Sequence, residues 1–404
     1  MDPSAKKVRG PAGLAPVELV RRLAGESGLV WLDSAVAGPG ARSWLAWQPQ
    51  TILRGHIDTD WSRVEAALEE GCAAGGSGGL FGWVGFDGRF VLGLYPQAHA
   101  FDHDRGVWAD PEALLARLPA GAAAPGQPPC LSFQPLMQRE AFQDQVRRAQ
   151  AYIAAGDIYQ VNLAHPWQAD WPVEASALAA YLRLREVSPA PHAAYLDLDG
   201  TRVLSASPEL FLELHGRAIT TRPIKGTRPR FPADPKRDAI SRAALTASAK
   251  ERAELLMITD LERNDLGQVS EFGSVRVPEL WKVESFAQVF HLVSTVTGTL
   301  RPDISHAAAF RSCFPGGSIT GAPKKRALEI IHELESHPRG LYTGAIGGFG
   351  FDGESRWNIA IRTAVQKGDQ LHFHAGSGIV ADSDPAQEWE ETLHKAAGLL
   401  AAWS

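Results

Sequence analysis

The chain has 404 residues, 45% of them apolar and 21% charged, with a formal net charge of −6 at neutral pH. That is enough apolar material to bury a large core in two lobes or one oversized domain, and an acidic balance without a long Lys/Arg run excludes a surface built to hold nucleic-acid phosphates. Cys72, Cys130 and Cys313 lie far apart with no Cys-x-x-Cys pair, which argues against a disulfide framework or structural zinc and fits a reducing cytoplasm.

Met1–Gly10 carries two lysines and an arginine but leads into no apolar run, and no 18-residue apolar stretch occurs, so neither secretion nor membrane insertion is expected. Gly75–Gly79 reads as a turn into a buried strand, Leu80–Phe86, whose glycines allow close packing. Ala, Gly and Pro then crowd residues 116–130, a composition that marks a lobe boundary or an excursion. We therefore expect an N-terminal lobe over 1–130 that contributes to the sheet core, and a catalytic region over 136–404. Arg139–Ala155 has a helical stripe of Phe142, Val146, Ala149 and Ile153 that ends at Gly156. Strands are predicted over 158–164, 192–198, 202–204, 210–214, 343–351, 358–365 and 371–375. Short turns such as Asp199-Gly200 and His215-Gly216 make them antiparallel hairpins. The class is α+β, with large antiparallel β-sheets packed together and flanked by helices.

Several segments carry chemistry. Lys225, in Thr221–Thr227, is either a surface lysine after a turn or a nucleophile whose amine is freed by partial burial beside the cationic Arg222. Residues 250–265 form a helix on which Glu254 shares a stripe with Met257, Ile258 and Leu261. A carboxylate on an apolar face must be protonated, paired or bound to a cation, unless it reaches solvent or Lys250 at the helix edge. Residues 315–324 read as a glycine-rich loop entering a helix with the stripe Ala327, Ile330, Ile331 and Leu334. Its free amides suit a carboxylate or phosphate, although it lacks a Walker ending. Arg362 offers a bidentate carboxylate partner, and Gly376-Ser377-Gly378 reads as a turn that lets a ligand approach the backbone. Asp384 is a plausible N-cap before Pro385, opening a helix that buries Trp389, Leu393, Ala396 and Leu400. Glu388, Glu391 and Lys395 lie on another stripe, either a solvated face or, with Leu399 continuing it, something more. Two helices that each offer glutamates, without a His/Cys cluster, suit a hard cation such as Mg²⁺.

Ordered blocks then point one way: Ala155–Leu163, Ser207-Pro208-Glu209, Pro223–Thr227, Lys250–Glu254 running to Arg263–Gly267, His291–Ser294, Gly321–Lys324, Ile359–Thr363 and Gly378–Ser383. Over Leu136–Ser404 the chain resembles the chorismate-utilising enzymes. The resemblance implies packed antiparallel sheets with flanking helices and a Mg²⁺-dependent reaction on chorismate. Anthranilate synthases usually carry alanine where this chain has Lys225, and isochorismate and salicylate synthases place a lysine where it has Gln160. Both positions favour the branch that replaces the carbon 4 hydroxyl by an amine.

That resemblance assigns Lys225 as the nucleophile, Glu209 as the general acid and His291 as a contact to the ring or the leaving hydroxyl, unless His291 is a hydrogen-bonded core residue. It makes Glu254, Glu391 and Glu388 the Mg²⁺ ligands, Glu388 directly or through water. Arg362, Tyr342, Gly376 and Gly378 would grip the enolpyruvyl group, while Ser318, Gly226, Thr227 and Lys395 line the pocket. Three positions depart from the pattern: Arg356 for an acidic residue, Ser377 for glycine and Gln268 for arginine. Of these, Arg356 puts the local strand pairing in question. Trp31-Leu32-Asp33-Ser34 is similar to a strand that lines a tryptophan pocket in relatives, a site that calorimetry would test. No cysteine sits in a Gly-x-Cys-x-Gly turn, so ammonia is expected from a separate glutaminase subunit.

Overall fold

The structure, a computed structural model, describes residues 14–36, 40–119, 125–286 and 288–404. The basic N-terminal stretch and residues 120–124 of the Ala/Gly/Pro segment lie outside the described residues. Two antiparallel sheets of eleven and ten strands form the frame. Their inner faces meet in a core shared by Val30, Ala194, Leu196 and Val203 of the first sheet and Phe81, Tyr95 and Ile346 of the second, the arrangement of a sandwich. Helices cover the outer faces. Ala177–Val187 and Pro385–Trp403 pack on the first sheet, and Trp61–Ala73 and His306–Cys313 on the second.

Strands from the first 110 residues complete both sheets. Val30–Asp33 pairs with His192–Leu198, and Gly79–Val84 pairs with Ala345–Gly350. Because a strand such as Thr201–Ser207 lies between a helix layer and the opposite sheet, nearly all its residues are buried. The period-two pattern that marks a half-exposed strand is lost there. Helix Arg139–Ala154 buries Phe142, Val146 and Ala149 and ends before Gly156 at φ 83°. Asp384 accepts hydrogen bonds from Ala386 N at 3.0 Å and Gln387 N at 2.9 Å and caps the C-terminal helix.

Three expectations need correction. Residues 358–365 are not one strand. Glu354–Ile359 belongs to the ten-stranded sheet and Thr363–Lys367 to the eleven-stranded one, and the chain crosses between them at Ala360–Arg362, with Arg362 at φ 50°. A second crossing, Pro208-Glu209, joins Thr201–Ser207 to Leu210–His215. The two crossings lie side by side, with Ala206 N donating to Arg362 O at 3.0 Å and Ile359 N to Glu209 O at 3.1 Å. Gly376–Gly378 is not a turn but part of the strand Gln370–Ile379, paired with Asn162–Ala164. On helix Ala249–Val269 the buried face is Leu255, Ile258, Thr259, Glu262, Leu266 and Val269, turned by one residue from the predicted stripe. Met257 and Leu261 are half-buried, and Glu262 and Asp265 go inside. Finally, Arg356 stands opposite Glu213 and donates to its carboxylate from Nε at 2.8 Å, so the unexpected cation is matched across the strand pair and the pairing stands.

Candidate active site

Both crossings open onto a cavity of about 980 Å³, walled by the edge strand Ile224–Pro229, the strand Gln370–Ile379, the first turns of Ala249–Val269 and one face of the C-terminal helix. Lys225, Gly226, Thr227, Glu209, His291, Ser318, Tyr342, Arg362, Gly376, Gly378, Glu254, Glu391 and Lys395 all reach its wall. Glu388 does not, although it lies one helical turn from Glu391.

Lys225 is presented by a bulge. Its strand pairs with Val289–Thr299, and the register slips between Lys225 and Thr227, leaving Gly226 as the extra residue at φ 79°. That left-handed φ favours glycine, and a Cβ there would also press on the ends of Glu251 and Leu245, 2.9 Å from both Glu251 Oε2 and Leu245 Cδ1. The Lys225 amine donates to Ser318 O at 3.3 Å. Burial pushes its pKa below the ordinary lysine value and the like charge of Lys395 adds to this, while Glu254, Glu209 and Glu391 oppose it. The neighbouring cation is therefore Lys395. Arg222, expected in that role, is instead bound to Glu284 and Thr295.

Glu209 is 4% exposed, and its Oε1 accepts from Ile224 N at 3.3 Å. Burial raises its pKa above the usual carboxylate value, and Ser318 and Lys225 offset this only in part. The Ser318 hydroxyl is buried against this carboxyl and, as a rotatable donor and acceptor, can turn between it and a ligand. His291 is also buried, with Nδ1 2.9 Å from Thr227 Oγ1, and burial holds its pKa down at about 3, so the ring is neutral. Its role as a hydrogen-bonded wall residue and as a ring contact are compatible. Arg362 is half-buried, with Glu209 as its countercharge and, among the described residues, no ion pair of its own. A desolvated guanidinium facing a cavity is a strong site for a carboxylate.

The far wall is built by glycines. A Cβ on Gly376 would fall 2.9 Å from Tyr342 Oη, and one on Gly378 would fall 3.5 Å from Lys225 Nζ and 3.2 Å from Gln160 Nε2. Lys395 donates to Gly376 O at 3.0 Å and pairs with Glu391 at 2.7 Å, both side chains opening onto the cavity. His374 stacks on Tyr342 at 5.3 Å and lines the same wall with Asn162. Neither residue was singled out from the sequence. His374, Gly376 and Gly378 alternate on one strand face, so drawing the strand through residue 379 would have found the histidine.

Burial raises the Glu254 pKa; Lys225 and Lys250, the latter 3.9 Å away, offset this, while Glu251 and Glu391 add to it. For Glu391 burial also raises the pKa, but Lys395 brings it below the usual value. Two mutually repelling carboxylates with oxygen-only donors fit a hard divalent cation. Glu388 lies behind them, its Oε1 accepting from Ser383 Oγ at 2.6 Å and its buried Oε2 without a partner. Among the described residues no three acidic, His or Cys side chains yet converge on one point. The helix N-terminus at Lys324, expected as an anion site, is not on the cavity wall, and Lys324 is engaged by Asp265 at 2.6 Å. The 3₁₀ turn Gly317–Ile319 reaches the cavity in its place. At the N-terminal segment, Asp33 is taken by Arg185 at 2.6 Å and Tyr181 at 3.1 Å, and Trp31 packs edge-on against Tyr181. These residues line neither large cavity. Among the described residues no helix is long and apolar enough to cross a membrane.

A family model described as chorismate binding enzyme matches residues 64–401. The chain is 45% identical to aminodeoxychorismate synthase component 1 of Klebsiella aerogenes over 317 residues, covering 77% of this chain and 70% of the relative. It is 46% identical to anthranilate synthase component 1 of Streptomyces coelicolor over 293 residues, covering 72% of this chain and 57% of that one. Among solved structures, anthranilate synthase component I from Streptococcus pneumoniae superposes with a TM-score of 0.77 at 26% identity, covering 98% of this chain and 99% of the other. The menaquinone-specific isochorismate synthase of Escherichia coli, at 20% identity and the same TM-score of 0.77 over 97% and 92%, shares the fold.

Proposed function

Because the chain belongs to the chorismate binding enzyme family, we propose that it uses this cavity to aminate chorismate at carbon 4, giving 4-amino-4-deoxychorismate on the way to 4-aminobenzoate and folate. The single observation that carries this reading is the Lys225 amine, desolvated and set among Glu209, Glu254 and Glu391 on the wall of a cavity large enough for a dicarboxylate. Overall identity does not separate amination at carbon 4 from anthranilate formation, since relatives of both kinds stand at 45% and 46%. A covalent amine does, because direct addition of ammonia at carbon 2 has no use for it.

In this reading the neutral Lys225 amine forms a bond to ring carbon 2. The allylic double bond shifts, and the carbon 4 hydroxyl leaves as water with a proton from Glu209. Ammonia then bonds to carbon 4, the double bond returns, the C2–N bond to Lys225 breaks, and the proton lost by ammonia restores Glu209. Arg362, with Tyr342 and the open backbone at Gly376 and Gly378, orients the enolpyruvyl carboxylate. The Ser318 hydroxyl and neutral His291 supply hydrogen bonds without adding charge. Glu254 and Glu391, with Glu388 behind them, would hold Mg²⁺, which when bound supplies positive charge for the ring carboxylate. Ammonia comes from a separate glutaminase subunit, since Cys72 and Cys130 are exposed, Cys313 is buried, and none lies in a nucleophile turn.

Incubating the chain with chorismate, Mg²⁺ and ammonium salt, followed by mass spectrometry, tests this reading. We expect 4-amino-4-deoxychorismate from the wild type and its loss by at least about 100-fold in Lys225→Ala, with an unchanged circular dichroism spectrum. Anthranilate as the direct product, or full output from the alanine variant, would refute the covalent route. Hydrolysis of glutamine by the isolated chain would refute the separate glutaminase.

A further inference from the structure

The long helix Ala249–Val269 carries Glu254 into the cavity, and two turns later it buries a second carboxyl that the chemistry above does not use. Glu262 is 6% exposed, and its Oε2 accepts from Thr221 Oγ1 at 2.8 Å. Thr221 lies four residues before Lys225, in the strand Ala218–Arg222 that leads directly into the lysine's own strand. On its other flank the turn Gly317–Ile319 packs against the helix at the level of Leu261 and Glu262. A Cβ on Gly317 would lie 3.5 Å from Glu262 Cγ and 2.9 Å from Leu261 Cδ2, so this turn rests directly on the helix. The middle residue of the turn, Ser318, gives the carbonyl that holds the Lys225 amine. One helical turn further on, Asp265 takes Lys324, whose amine also donates to Cys313 O at 3.0 Å, which ties both ends of the 313–324 segment to the same helix.

We infer that Glu262 is a positioning residue: through Thr221 on one side and the Gly317–Ile319 turn on the other, it locks the two segments that aim Lys225 into the cavity. The inference rests on the reading of Lys225 as the nucleophile. A methionine or leucine would fill this buried position at lower desolvation cost, so a satisfied pair of Glu262 and Thr221 gives direction to the contact rather than bulk alone. The groups facing Glu262 are Thr221, Glu209, Asp265 and Lys324. Burial raises its pKa well above the ordinary value, and the Glu209 and Asp265 charges add to this, which favours the uncharged form; an amide of the same shape keeps the oxygen that accepts from Thr221.

The test reads Lys225 directly and without chorismate. The pH dependence of its labelling by trinitrobenzenesulfonate, followed by peptide mass spectrometry, reports how far the amine is held out of water. We expect Glu262→Ala and Thr221→Val to move the labelling midpoint up by about one pH unit toward that of an ordinary lysine. In the amination assay kcat should fall about 10- to 100-fold, with KM for chorismate changing far less. The conservative variants Glu262→Gln and Thr221→Ser should keep the wild-type midpoint. A purely structural role would lower the folded fraction and leave the midpoint of the folded protein where it was. Unmoved midpoints in the alanine and valine variants would overturn the inference, as would a glutamine variant shifted as far as alanine. If Glu262→Ala does not fold, the Thr221 pair decides alone. Failure of the amination reading would show separately, as absence of aminated product from the wild type while the labelling results stand.

Discussion

Lys225 and Glu209 make opposite demands on pH. The lysine attacks only as the free amine, and since its pKa lies below the ordinary 10.5, activity should rise as pH climbs through that lowered value. The glutamate donates only as the acid, and since its pKa lies above the ordinary 4.5, activity should fall as pH climbs through that raised value. We expect a bell-shaped pH profile of kcat in saturating ammonium, with both limbs between those two ordinary values. Glu209→Gln should lower kcat by about 10²- to 10⁴-fold and remove the limb set by the acid. A glutamine variant that kept the wild-type bell would exclude Glu209 as the acid. Glu262 adds a separate effect on stability. Its folded pKa is raised, so the stability it contributes is complete below the unfolded carboxylate value and is lost as pH rises through the folded one. Thermal melts of Glu262→Gln should therefore fall less than those of the wild type as pH is raised from 5 to 9.

At the level of single elements, two glycines on one strand face have different tasks. A methyl group at Gly376 would sit 2.5 Å from Leu163 O and 2.8 Å from Ala164 Cβ, on the rigid neighbouring strand. Gly376→Ala should cost about 1–3 kcal/mol of stability by overpacking. At Gly378 the same methyl group meets only the ends of two side chains, Gln160 Nε2 at 3.2 Å and Lys225 Nζ at 3.5 Å, which can shift by a few tenths of an ångström. Gly378→Ala should fold normally and lose about tenfold or more in kcat/KM, because the amine is displaced from its attack position. Chemical denaturation and steady-state kinetics on the two variants separate the outcomes, and equal effects on stability would contradict the contrast. The edge strand carrying Lys225 shows the same economy of sequence: the bulge at Gly226 breaks the alternation, and three successive residues, Lys225, Gly226 and Thr227, line the cavity.

Across the whole molecule, five histidines are held in the neutral form, His99, His165, His291 and His374 buried and His192 half-buried. Burial lowers His192, His291 and His374 to about 3, and His99 and His165 to about 4. Each contributes stability that is fully present above the unfolded value of about 6.5 and is lost as pH falls from there toward the folded value. We expect the unfolding free energy to drop by about 1 kcal/mol or more per pH unit below 6.5, measured by urea denaturation; a flat profile down to pH 5 would show that these rings are not buried in solution. Local chemistry was already determined by the chain itself. Asp384 before Pro385 caps the last helix wherever that helix lies, Gly156 stops the helix before it, and the motif residues Lys225, Glu209, Glu254 and Arg362 stand at recognisable spacings. Tertiary structure alone decided that Arg362 and Glu209 lie on adjacent crossings between two sheets, that His374 and Asn162 join the cavity wall, that Lys395 rather than Arg222 is the cation beside Lys225, and that Glu262 is buried. The reason is physical. Strand partners separated by more than 150 residues leave no local trace, and where a strand is covered on both faces the alternation that would reveal its register disappears.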